Sequence, residues 1–165
     1  TGQATREIPI VSIETPAAKP DDAGPQLALQ FVYLKDCSFE SPQGPRIGEN
    51  WNPQINLDLN TSVSPIGDDV REVLLTVTVS AKQGEKTAFL VEVKQAGAFL
   101  MRNLSDDDVK RAISSVCPGV LFPYARAAVS NLVMQGGFPQ FLLPPVNFAA
   151  LYARSMADGQ HATKN

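Results

Sequence analysis

A chain of 165 residues is long enough for one hydrophobic core and too short for two ordinary domains. It is 44% hydrophobic and 19% charged, and its 17 Asp and Glu outnumber 14 Lys and Arg that form no basic run. That balance excludes the basic surface of a nucleic-acid binder, and neither nucleic acid nor membrane insertion is expected.

Residues 1–27 carry Pro9, Pro16, Pro20 and Pro25 around one short apolar island, Ile8 to Ile13, set between Glu7 and Glu14. This composition predicts a flexible N-terminal arm and not a secretory signal. A single domain is expected over 28–155, and a flexible tail over 156–165.

Four strands are predicted, over 30–40, 52–60, 69–82 and 86–99, from their β-branched and aromatic content and the turn residues that bound them. Gln83-Gly84-Glu85 makes the last two a hairpin. Period-two alternation assigns the faces. Ile55, Leu57 and Leu59 share a face, as do Val73, Leu75, Val77, Val79 and Ala81, and Phe89, Val91 and Val93. In the first strand the same pattern sends Phe31, Tyr33, Cys37 and Phe39 inward and Val32, Leu34, Asp36, Ser38 and Glu40 outward. The outer face therefore collects Asp36, Glu40, Asp58 and Glu92 around Leu90.

Helices follow the sheet. Ser105 and the aspartates at 106, 107 and 108 read as an N-cap and an acidic first turn for a short helix to about Ser115. The main helix is predicted over 118–137, with Pro118 at its first position and Gly136-Gly137 at its end. Leu121, Phe122, Tyr124, Ala125, Ala128, Val129, Leu132, Val133 and Met134 cover more than one stripe of it, and Arg126 is its only charge. A helix apolar on most sides must be covered on most sides, so its outer side is expected to meet another copy of the chain. The uncharged stretch GGFPQFLLPPVNF (136–148) then leads into a last helix, NFAALYARSM.

The single histidine, His161, falls in the expected tail, which excludes His-based triads and His-rich metal sites. No P-loop, nucleophile elbow or dinucleotide-binding glycine pattern stands between a strand and a helix. The chain reads as a non-enzyme without cofactor or metal. Cys37 and Cys117, far apart and in no metal-binding context, are expected to be buried free thiols, which suits a cytoplasmic protein.

YLKDCSFESP (33–42), WNPQINLDL (51–59), TAFLVEVKQAG (87–97), CPGVLFPYAR (117–126) and GGFPQFLLPPVNFAALY (136–152) together resemble the SecB family of bacterial protein-export chaperones. The resemblance implies an α+β fold, with a four-stranded antiparallel sheet packed on one face by a long helix and shorter helices, assembled as a homotetrameric dimer of dimers. It implies an ATP-independent cytosolic chaperone that holds unfolded precursor polypeptides and delivers them to the SecA motor of the Sec translocase. Carried over by motif, the SecA-docking residues are Asp36, Glu40, Leu90 and Glu92. The substrate-binding residues implied are Trp51, Tyr124, Phe138, Phe141, Leu142 and Tyr152. Two other functions fit the residues: a SecB-like chaperone serving a toxin–antitoxin pair, and a structural or small-ligand-binding oligomer.

Overall fold

Strands β1 (Gln26–Glu40), β2 (Gln54–Gly67), β3 (Val70–Gln83) and β4 (Lys86–Arg102) form one antiparallel sheet in the order β1-β4-β3-β2. The structure, a computed structural model, describes residues 24–45 and 50–162, the last four as backbone only. The expected arm therefore lies outside the described residues up to position 23, and Gln26 and Leu27 already belong to β1.

The two central strands carry the core. Val73, Leu75, Val77, Val79 and Ala81 of β3 and Phe89, Val91 and Val93 of β4 are at most 1% exposed, as their alternation predicts. Each of these side chains except that of Ala81 contributes about 1.5–3 kcal/mol on burial. The edge strands are more open, and Ile55, Leu57 and Leu59 of β2 are half-buried against that core. Beyond Asn60, where a turn region is expected, β2 continues to Gly67. Its apolar residues there, Val63 and Ile66, are exposed and out of step with a two-residue period, so no apolar alternation marks them. Pro65 is tolerated because β2 is an edge.

In β1 the expected faces hold for only half the strand. The register against β4 slips between Leu34 and Asp36, leaving Lys35 as an extra, bulged residue. A one-residue bulge reverses the alternation on one side of it. Asp36, Ser38 and Glu40 keep their outward positions. Tyr33 and Phe31, expected inside, lie opposite Ala96 and Ala98 on the open face, and Val32 turns inward to the core. Cys37 does lie opposite Val93, but at the sheet edge it is exposed; only Cys117 is the buried free thiol expected.

Helix α1 (Asp106–Arg111), a π-helical turn (Ala112–Val116) and α2 (Cys117–Gln135) run on as one 30-residue helix, where two separate helices are expected. Ser105 caps it, its Oγ accepting the Asp108 N–H at 3.1 Å. Pro118 is the reason for the expected break: it has no N–H to donate, and its ring crowds the carbonyl one turn back. The wider turn relieves that crowding, with the Cys117 N–H bonded to the Ala112 carbonyl five residues earlier. The far end closes as the sequence predicts. Phe138 N–H donates to the Val133 carbonyl and Gly137 N–H to that of Met134, with Gly137 at φ 82°, a left-handed cap that glycine adopts freely.

By length and composition this helix could cross a bilayer, but it packs on β3 and β4 through Leu121, Ala125, Val129 and Val133, all fully buried. Its other side exposes Val116, Val120, Tyr124 and Met134. Helix α3 (Phe148–Ala162) packs by the π turn, and Phe148 meets the ring of Phe122 edge-on at 5.8 Å. It continues through 156–162, residues assigned from composition to a flexible tail.

Gly97 marks a close approach of helix to sheet. A Cβ there would lie 2.8 Å from the Phe99 ring and 2.9 Å from a Leu121 methyl. Gly97→Ala is expected to lower stability by about 1–3 kcal/mol through overpacking, read as a lower urea midpoint at unchanged m-value.

Candidate docking face and apolar clefts

Strand register brings the four predicted docking residues into one patch on the open face. Glu40 lies opposite Leu90 and Ser38 opposite Glu92, while Asp36 lies opposite Lys94. Across β4 the same rows continue through Ser80, Thr78 and Thr76 of β3 to Asn56, Asp58 and Asn60 of β2. The surface is thus a polar sheet with Asp36, Glu40 and Glu92 gathered toward β1 around half-buried Leu90, and with Asp58 apart on β2.

A cation stands in the patch. Lys94 Nζ lies 3.2 Å from Glu92 Oε1 and 3.4 Å from Asp36 Oδ2. Both carboxylates raise the Lys94 pKa, Glu92 most strongly. Alternation alone puts Lys94 on this face; its contact with Asp36 requires the cross-strand register, which sequence spacing does not disclose.

Beside the patch the bulge is tied down. Glu72, on the open face of β3 and only 7% exposed, accepts hydrogen bonds from Lys35 Nζ at 2.6 Å and from the Tyr33 hydroxyl. These bonds, the Lys35 ammonium first, hold the Glu72 carboxyl below the ordinary carboxylate range although burial opposes them. The same contact pushes the Tyr33 phenol up to about 12. Neither Lys35 nor Glu72 stands out in the sequence.

The predicted substrate residues fall into separate groups. Phe138 is the most buried, 6% exposed, with its ring 5.1 Å from Phe89, 5.6 Å from Trp51 and 6.3 Å from Phe39. Phe141, half-buried, reaches Phe89 at 6.5 Å. Trp51 and Phe138 line a cavity of about 230 Å³ beside the β3–β4 hairpin, with Thr87 and Ala88 opposite. Leu142, 52% exposed, points into a second cavity of about 370 Å³ between the 136–147 segment and α2, against Gly119, Phe122, Pro123 and Arg126. Tyr124 is 51% exposed on α2 and Tyr152 half-buried on α3. Among the described residues, no ring contact joins either tyrosine to the Phe138 cluster.

The segment 136–148 alternates between plug and surface. Phe138, Leu143 and Phe148, five residues apart, are buried, while Pro139, Leu142, Pro144 and Pro145 are exposed. Arg126 holds the middle of it, its Nε donating to the Leu143 carbonyl at 2.6 Å.

Two outcomes follow from these contacts. A carboxyl whose folded pKa is depressed contributes stability above the unfolded carboxylate pKa, and that contribution is lost as pH falls through the folded value. Glu72→Gln should therefore cost about 1–3 kcal/mol at neutral pH and flatten the decline in melting temperature below about pH 5. Phe138→Ser should cost about 3–5 kcal/mol, as for truncation of a buried ring, with loss of tertiary circular dichroism at lower urea.

The chain matches the family described as "SecB: Preprotein translocase subunit SecB" over residues 20–159. It is 51% identical over 139 residues to the protein-export protein SecB of Pseudomonas paraeruginosa PA7, covering 83% of this chain and 85% of that protein. With the protein of the same name from Pseudomonas fluorescens Pf-5 it shares 44% over 146 residues, covering 88% and 92% respectively. In fold it is similar to the Mycobacterium tuberculosis Rv1957 SecB-like chaperone, solved in complex with a peptide of the HigA1 antitoxin, with a TM-score of 0.63 at 13% identity over 73% of this chain and 90% of that one. On the match over residues 20–159 and the identity to its relatives, the chain belongs to the SecB family, protein-export chaperones and not enzymes.

Proposed function

We propose that the protein is an ATP-independent cytoplasmic chaperone that holds unfolded precursors in its apolar clefts and hands them to SecA through the open face of its sheet. The observation that carries this is the division of labour between the two sides. Apolar clefts with exposed rings and leucines lie on the helix side, and a carboxylate patch lies on the other. Large apolar side chains offer contact area to any extended apolar segment. An acidic flat face favours a basic partner in orientation and association rate more than in affinity.

The assembly proposed is a homotetramer built as a dimer of dimers. Two exposed apolar strips support it. Along β1, Leu27, Leu29, Phe31 and Leu34 are 37–54% exposed, on an edge that no other described strand pairs. On the long helix, Val116 of the π turn and Val120, Tyr124 and Met134 of α2 form the second. Light scattering should give the mass of four chains; a monomer at micromolar concentration would remove this assembly.

In the substrate reading Phe138 forms the floor of a cleft, while Phe141 and Leu142 are the residues that meet a client. Leu142→Ser with Phe141→Ser should weaken capture of an unfolded precursor about tenfold or more with the tetramer intact. Unchanged delay of precursor refolding would sink the assignment. Glu92→Lys should abolish measurable binding to SecA. Equal binding of wild type and variant would reject the docking face, and no binding by either would favour a toxin–antitoxin role over export.

A further inference from the structure

The docking patch contains its own cation. Lys94 is flanked by Asp36 on the neighbouring strand and by Glu92 two residues back on its own, and its ammonium lies within 3.4 Å of an oxygen of each. Of the three docking carboxylates only Glu40 has no cationic partner among the described residues. A basic segment arriving at this face thus meets one unengaged carboxylate and two already contacted by an ammonium. The ammonium has three donors on a flexible stem, so it can bridge both oxygens and also withdraw from them.

We propose that Lys94 is a specificity-determining residue of this face: an internal competitor that occupies Asp36 and Glu92 in the free protein and is displaced by the basic group of the docking partner. The idea rests on the SecA-docking reading and deepens it. Three features support competition over mere neutralisation. Lys94, Asp36 and Glu92 are all substantially exposed, so the pairs are weak and exchangeable. The patch is flat, so an incoming cation reaches the same oxygens without rearrangement of the strands. Opposite Lys94 on β3 stands Thr76, which offers the displaced ammonium no acidic alternative. The displaced Lys94 then faces solvent beside a bound cation, and this like-charge contact limits affinity and favours partners that present few, well-placed basic groups.

The test is SecA binding by the full chain, wild type against Lys94→Gln and Glu92→Lys, over a salt series. Lys94→Gln should bind SecA about two- to tenfold more tightly at low salt, mainly through faster association, with the advantage vanishing near 1 M salt, where the screening length falls to about 3 Å. Its melting temperature serves as the control for folding, since an exposed Lys to Gln change leaves the strand pairing in place. Unchanged or weaker binding by Lys94→Gln, with Glu92→Lys still abolishing it, overturns the competitor role and leaves the docking reading standing. If Glu92→Lys makes no difference either, the docking reading falls and the competitor role falls with it.

Discussion

One helix seals one face of a four-stranded sheet, and the other properties of the molecule follow from that asymmetry. The side chains of β3 and β4 that point toward α2 are fully buried, and the helix lies so close that Gly97 leaves no room for a Cβ. Among the described residues, no helix covers the opposite face. A strand alternates its side chains between the two, so a single sequence must supply an apolar row for the helix and a polar row for water. Once the helix is seated, every residue of the polar row is presented on a rigid, flat support. The carboxylates at Asp36, Glu40 and Glu92 acquire their mutual positions from the core on the other side of the same strands.

The helix itself has more apolar surface than the sheet can cover. Leu121, Ala125, Val129 and Val133 are consumed in the core, while Val116, Val120, Tyr124 and Met134 remain outside. The segment after it repeats the compromise on a smaller scale. Phe138, Leu143 and Phe148 anchor it at intervals of five residues, and Arg126 fastens the backbone between them. The prolines at 139, 144 and 145 keep the exposed stretches extended. Rigid anchoring allows leucine and proline to stay at the surface without collapsing inward, which is what an apolar cleft in water requires.

Much of this was legible in the residues. The strict alternation of β3 and β4 assigned both faces, and Gly136-Gly137 and Ser105 marked the ends of the long helix, because each depends on local chemistry. The failures have a common physical origin in tertiary partners. Phe31 and Tyr33 were expected inside because a strand read alone has no reason to bulge at Lys35; the reason is Glu72, 37 residues away, which draws in the ammonium and the phenol together. Pro118 reads as a start signal, yet a π turn absorbs it, its wider backbone ring leaving room for a residue that has no N–H to donate. Phe138 reads as an exposed ring in a greasy loop, and only the arrival of Phe39, Trp51 and Phe89 around it makes it core.

The bulge also ties the two chemistries together. Had β1 continued in regular alternation, Phe31 and Tyr33 would have fallen on the helix side, and Leu34 and Val32 would have followed Asp36 on the open face. The extra residue instead puts Tyr33 and Phe31 next to Asp36 on that face. Beyond it, the open face turns aromatic and aliphatic, with Phe31 and Tyr33 5.7 Å apart over the small residues Ala96 and Ala98. The docking carboxylates thus lie toward the Glu40 end of the open face, and the end with Phe31 and Tyr33 holds the Glu72–Lys35 pair beside them. In the proposed docking reading, a partner drawn by charge is guided to the Glu40 end, and the aromatic end takes no part in that attraction. One buried carboxylate, Glu72, separates the two by holding Lys35 out of register.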